Sequence, residues 1–333
     1  MSRGPALAGT WLRSCQGPLA TTYDAALLDL DGVVYTGPEA VEGAPAALHA
    51  ARGLGMRLVF VTNNASRTPE AVAEQLCDIG VPADVAEIAT AAQAVARVLG
   101  ERLPRGATVL VVGGPGLLSA VEGAGFTSVR SADDRPAAVV QGYAATTTYA
   151  ELAEATLAVR AGALWVVANR DATLPTPRGQ VPGNGALVTL VGEATGRQPI
   201  VAGKPEQALH SEALLRVAAE HPLVVGDRLD TDIAGASAIG CDSLLVLTGV
   251  TSLDDLKAAP PSHRPTYVAP GLAGLLTPHP EVVADGTGIR CLRATGDVDD
   301  GLDEARVGLA TSWARSDLDR ERVTAERGAS ADR

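Results

Sequence analysis

Two aspartates separated by a single residue, Asp29 and Asp31, close an apolar run in LLDLDGVVY, and Gly32 follows them. Residues two apart on an extended chain point the same way, so both carboxylates face one space. Glycine then lets the backbone turn and approach closely. Such a pair can end a strand for structural reasons, line a metal loop, or supply a nucleophile with an acid/base partner. The spacing and terminal Glu of an EF-hand are missing. Downstream, VFVTNNAS (59–66) brings the hydroxyl, amides and N–H groups of Thr62, Asn63 and Asn64 to the end of a second apolar run. They suit an oxyanion, although a turn leading to a helix cap uses the same residues. Lys204 in AGKPEQAL precedes Pro205, which reads as the first residue of a helix. A lysine at a helix N-terminus makes an anion site, and a plain surface lysine is the competing reading. In VVGDRLDTDIAG (224–235) a third run ends at Asp227 and continues through Asp230 and Asp232. Three acids this close are costly without a cation, unless they are solvated at a helix start where the macrodipole favours them.

The elements that position these residues are short, nearly continuous apolar runs: 25–30, 57–63, 108–114, 137–142, 163–169, 222–227 and 243–247. Continuous rather than alternating runs of Val and Leu read as strands of a buried parallel sheet. Helical stretches at 69–79, 90–101, 148–161, 205–219 and 231–239 lie between them, which predicts a doubly wound α/β fold. The runs near 111–116 and 163–171 fit either one sheet or a second. All four chemical segments fall at strand ends or helix starts, where open α/β sheets bind ligands. Nucleophile pair, hydroxyl-amide turn, lysine and acid cluster together make a phosphoryl-transfer set.

DLDGVVY, VTNNAS, GKP and GDRLDTDI resemble the four ordered motifs of the haloacid dehalogenase superfamily of phosphatases. The spacing is similar to the NagD-like branch, with a large α/β cap inserted between the second and third motifs, and the closest likeness is to bacterial glycerol 3-phosphate phosphatases. NRDATLPTPRGQVPGNGALV (169–188) resembles that branch's cap loop. The resemblance implies a Rossmann-like core at 23–91 and 197–275, a cap at 92–196, a flexible tail at 1–22 and a C-terminal extension at 276–333, in which GDVDD (296–300) resembles the start of a longer extension that some of these proteins carry. It implies Asp29 as nucleophile, Asp31 as general acid and base, and Mg²⁺ held by Asp29, Asp227 and the backbone carbonyl of Asp31. Thr62, Asn63, Asn64 and Lys204 would hold the phosphoryl group, with Asp232 supporting them. Leu174 falls near the cap's specificity position and offers no charge to a leaving group, which suits a small neutral polyol. Caps of this kind often pair two copies, so a homodimer through the cap is a candidate assembly.

The bulk properties agree with a locally built anion site. A chain of 333 residues exceeds what one core usually organises. Its net charge of -12 and 3% aromatic content argue against a nucleic-acid partner. No stretch is long and apolar enough for a membrane span, and the four scattered cysteines fit a reducing cytoplasm. The GGPG at 113–116 lacks the dinucleotide fingerprint. A phosphatase for another metabolite (a nucleotide monophosphate, phosphoglycolate or pyridoxal phosphate), a phosphomutase on the same core, and a non-catalytic phosphometabolite sensor stay open at this point. The acidic residues 298–304 as a recruiting tail form a weaker alternative, since such charges are usually a solvated face. Residues 296–317 predict one helix with an acidic start, frayed over the last dozen residues.

Overall fold

The computed structural model describes residues 12–176, 178–285, 288–293 and 299–331. Among them, six strands form a parallel sheet in the order Tyr267–Ala269, Asp242–Val246, Pro222–Gly226, Ala25–Leu28, Arg57–Thr62, Ile88–Thr90. Five more form a second parallel sheet, ordered Ile200–Val201, Leu164–Val167, Ala138–Gln141, Thr108–Val112, Thr127–Val129. The fold is therefore the parallel α/β architecture that the continuous apolar runs imply. Both runs of uncertain membership belong to the second sheet. Its last strand, Ile200–Val201, lies beyond residue 196, where the insert was expected to end. Strands of two or three residues carry too little pattern to be read from sequence, and this one escaped for that reason.

Helices between the sheets join them. Ala91–Gly100 starts at Thr90, whose side chain accepts from the Gln93 N–H while Gln93 reaches back to the Thr90 backbone. It is buried on nearly every face, as a helix packed on several sides must be. One apolar cluster then runs from Leu27, Val59 and Val61 of the first sheet, through Val95 and Leu209, to Val109, Val140 and Val166 of the second.

The two ends of the chain differ from expectation. The flexible tail expected over 1–22 is not free from residue 12 onward: Leu12, Leu19 and Ala20 are buried, and Cys15 pairs with His279 in an isolated bridge. Burial of those apolar side chains offsets the entropy of ordering the segment. Residues 1–11 lie outside the described residues, as do 296–298 of the GDVDD stretch. The extension opens with a hairpin, Glu281–Asp285 against Gly288–Leu292, that the sequence reading did not contain. Its helix spans Asp303–Ala331, past the expected point of fraying. Leu309 and Trp313 of that helix pack with Leu12, Leu245, Leu256 and Val268, so the extension completes a face of the first sheet.

Candidate active site

Parallel pairing aligns the carboxyl ends of three neighbouring strands. Leu28 is in register with both Phe60 and Val225, so Asp29 leaves the sheet between the ends of its two neighbours. Its N–H still bonds the Val225 carbonyl at 2.8 Å. Asp227 emerges from the strand on one side and Thr62 closes the strand on the other. Beyond Asp227 the chain makes one π-helical turn, Leu229–Ile233, a local widening often found at functional sites, and this turn carries Asp232.

Lys204 joins these groups from the far side of the chain. Its buried Nζ donates to Asp29 Oδ1 at 2.5 Å, to Asp232 Oδ1 at 2.6 Å and to the Val61 carbonyl at 3.4 Å. Asp232 Oδ2 accepts the Arg228 N–H at 3.1 Å, so both Asp232 oxygens are engaged. Asp227 Oδ2 accepts the Val250 N–H at 2.7 Å, while its buried Oδ1 has no partner among the described residues. The site is tight enough to require glycine nearby: a Cβ on Gly249 would lie 1.9 Å from Asp227 Oδ2.

The electrostatics show an excess of negative charge. Burial pushes the Asp29 carboxyl up to about 8; Lys204 opposes that, and Asp232 and Asp227 add to it. Burial, then Asp232, raises Asp227 to about 6 against the Val250 N–H, Lys204 and Arg228. Burial alone would lower Lys204, but the carboxylates of Asp232 and Asp29 outweigh it and hold the ammonium above its usual range. Oxygens of Asp29, Asp227 and Asp232 lie within 4.8 Å of one another. One ammonium among three carboxylates, one of them with an orphaned oxygen, is a donor set that fits a hard divalent cation. The Asp31 carboxylate is not part of this cluster. Asp31 is exposed, and desolvation by the surrounding site still raises its carboxyl against Arg228, Arg67 and the Gly37 N–H.

The side chains of the TNN turn, whose hydroxyl, amides and N–H groups are expected to suit an oxyanion, are engaged within the protein. Thr62 Oγ1 accepts the Asn64 N–H at 3.1 Å. Asn64 Oδ1 accepts from the Ser66 N–H and hydroxyl, each at 2.8 Å, which ties it into its own turn. Asn63 brackets the Lys204 backbone instead: Oδ1 accepts the Lys204 N–H at 2.8 Å, and Nδ2 donates to the Lys204 carbonyl at 3.2 Å. Leu174 stands on a hairpin, Thr173–Thr176 against Gly179–Pro182, paired with Val181.

Four residues without a role in the sequence reading are drawn in. Arg228 and Arg67 both act on Asp31. Asp171 is raised by burial and held down by Arg228, Lys204 and a hydrogen bond from Asn63. Asn169 donates from Nδ2 to the Asn63 carbonyl at 2.7 Å. Their signal was present, since Arg228 adjoins Asp227 and N-x-D follows an apolar run in the manner of the other chemical segments.

Comparison with known proteins gives the same direction. A model of the haloacid dehalogenase-like hydrolases matches residues 26–127, and a second, HAD-hydrolase-like, matches 201–275. The chain is 46% identical over 310 residues to D-glycerol 3-phosphate phosphatase of Mycobacterium tuberculosis, covering 89% of this chain and 87% of that protein. It is 38% identical over 245 residues to an acid sugar phosphatase of Staphylococcus saprophyticus, covering 72% and 93% respectively. The crystal structure of the Mycobacterium tuberculosis glycerol phosphate phosphatase with magnesium superposes with a TM-score of 0.82 at 44% identity, covering 89% of this chain and 92% of that one. A p-nitrophenyl phosphatase from Archaeoglobus fulgidus gives 0.70 at 29% identity, covering 76% and 98%.

Proposed function

The chain belongs to the haloacid dehalogenase-like hydrolases and is a phosphatase, and from that premise we propose that it hydrolyses glycerol 3-phosphate to glycerol and phosphate with Mg²⁺. The observation that carries the chemistry is the meeting of Asp29 with Lys204, Asp227 and Asp232 at the carboxyl edge of the sheet. Asp29 attacks phosphorus, forming an O–P bond as the bond to the leaving glycerol oxygen breaks. Asp31 gives its proton to that oxygen, then removes one from the water that cleaves the aspartyl-phosphate and regenerates the Asp29 carboxylate. The raised Asp31 carboxyl supports its service as a donor near neutral pH. Lys204 and the backbone N–H groups of the turn after Thr62 neutralise charge on the transferring oxygens. Asp29 and Asp227, with the Asp31 backbone carbonyl, would hold a magnesium ion while Asp232 steadies them through Lys204, and the ion would supply Lewis acidity and charge neutralisation.

The preference for a small polyol rests on the extent of likeness to the mycobacterial enzyme and on the uncharged Leu174. The second sheet with its helices, ending near residue 202, serves as the cap that reads the leaving group. Its outer helices, Tyr149–Arg160 and Asn184–Thr195, expose Tyr149, Leu157 and Leu190, which suits pairing of two copies. Four free cysteines support a cytoplasmic site of action. The test is kcat/KM across glycerol 3-phosphate, phosphoglycolate, pyridoxal phosphate and nucleotide monophosphates, with magnesium or chelator. Glycerol 3-phosphate should lead the series. A different leader would replace the substrate and leave the chemistry standing.

A further inference from the structure

Asn169 lies two residues beyond the strand Leu164–Val167 of the second sheet, and none of the steps above uses it. It is 5% exposed. Nδ2 donates to the Asn63 carbonyl at 2.7 Å, and Oδ1 accepts the Asp171 N–H at 3.2 Å. Its own carbonyl accepts from Nδ2 of the buried Asn184, the first residue of the helix Asn184–Thr195, at 2.8 Å. Asn63 in turn grips Lys204 by both its N–H and its carbonyl. A chain of amides, buried at Asn184 and Asn169 and half-buried at Asn63, thus runs from the second sheet to the lysine whose Nζ bridges Asp29 and Asp232. The backbones along it are in contact. A Cβ on Gly203 would lie 2.3 Å from the Ala168 carbonyl oxygen and 2.5 Å from Asn63 Oδ1, and one on Gly185 would lie 2.2 Å from the Arg170 carbonyl oxygen. Amides linked in this way favour one arrangement, because breaking a link leaves another buried polar group unpaired beside Asn184 Oδ1, which already has no partner among the described residues.

We propose that Asn169 is a positioning residue for Lys204: the second sheet sets where the ammonium stands, through Asn63. The kinetic part of this inference rests on the phosphatase reading. The alternative is that Asn169 merely glues the two sheets together, in which case its loss lowers stability and leaves the lysine in place.

The chain itself provides a readout, since Lys204 and Lys257 are its only lysines. The Lys257 side chain is 43% exposed and that of Lys204 is 3% exposed. Amine-directed labelling of the folded, substrate-free protein, quantified by peptide mass spectrometry, reports Lys204 against Lys257 as internal control. In Asn169→Ala the Lys204/Lys257 labelling ratio should rise about fivefold or more, the scale of one lost hydrogen bond. Turnover should fall about tenfold with a smaller change in KM, as for a displaced catalytic group. Asn184→Ala, one link further out, should move both readouts the same way by less. Asn63→Ala combined with Asn169→Ala should be no slower than Asn63→Ala alone, because both act through one path. A wild-type labelling ratio in folded Asn169→Ala, or additive losses in the double variant, overturns the inference. Should Asn169→Ala fail to fold, an unchanged ratio in Asn184→Ala overturns it equally. Labelling needs no turnover, so a raised ratio in a chain that releases no phosphate would sustain the positioning role and remove the phosphatase reading.

Discussion

Asp29 and Asp227 hold their carboxyls above the ordinary range in the folded chain, at about 8 and about 6, because burial and neighbouring acids disfavour ionisation. Unfolded aspartates titrate near pH 4, so between about pH 4 and these raised values the folded protein binds more protons than the unfolded one. Stability contributed by the two groups is therefore lost as pH rises through that window. The melting temperature of the metal-free protein should fall from about pH 5 to about pH 8, and magnesium, by neutralising the cluster, should flatten the fall. Asp227→Asn should flatten it without metal. A slope unaffected by both would contradict the uncompensated charge. Asp31→Asn should lower kcat by about 10²–10⁴-fold with little effect on KM, as expected for loss of a general acid; wild-type kcat would remove Asp31 from proton transfer. At this scale type and strand-end position pointed to Asp29 and Asp227, whereas Lys204 was read from a helix expected to start at Pro205, and that helix begins at Gln207. The bracketing of Lys204 by Asn63 was not legible, because that partner lies 141 residues away and an amide serves an anion or a backbone equally well.

At the scale of elements, continuous Val- and Leu-rich runs revealed the long strands but carried no label for which sheet each joins. Membership is decided by packing across the helices between the sheets, and the two- and three-residue strands appear only once their neighbours exist. Gly113–Gly116 illustrates the difference. Its four residues fail as a dinucleotide fingerprint, yet the start of the helix Pro115–Gly123 presses on the loop after the second motif: the Gly116 N–H bonds the Ser66 carbonyl at 3.0 Å. An added Cβ there would stand 2.1 Å from the Arg67 carbonyl oxygen. Gly116→Ala should destabilise the protein by about 1–3 kcal/mol, the usual range for overpacking, and lower turnover by shifting the loop that holds Asn63. Urea unfolding with steady-state kinetics tests this, and unchanged values in both would show that the contact yields freely.

Across the whole molecule, the C-terminal extension is part of the core domain's packing. Trp313 is buried, donates from its indole N–H to the Leu256 carbonyl at 3.0 Å, and lies under the Arg264 guanidinium at 5.2 Å. Arg264 also forms a two-pronged ion pair with Asp317 at 2.7 and 2.9 Å. Asp300 and Asp303, within the acidic stretch 298–304, bond Arg293 and Arg306 of the same chain, which leaves the idea of a recruiting tail without support from them. Trp313→Ala should cost about 3–5 kcal/mol of stability while the variant, assayed at low temperature, keeps its KM. Loss of substrate affinity at full stability would instead connect the extension to the site. The helix was legible from its pattern, and its docking was not, because Leu245 and Val268 read equally well as residues of a sheet face covered by something else.

The central claim is nucleophilic attack by Asp29, and phosphate release from glycerol 3-phosphate by wild type and Asp29→Asn, with and without magnesium, tests it most directly. The expected result is metal-dependent release by the wild type and a loss of about a thousandfold or more in a folded Asn variant, on the scale seen when catalytic nucleophiles are removed. Release by Asp29→Asn at the wild-type rate would contradict the account.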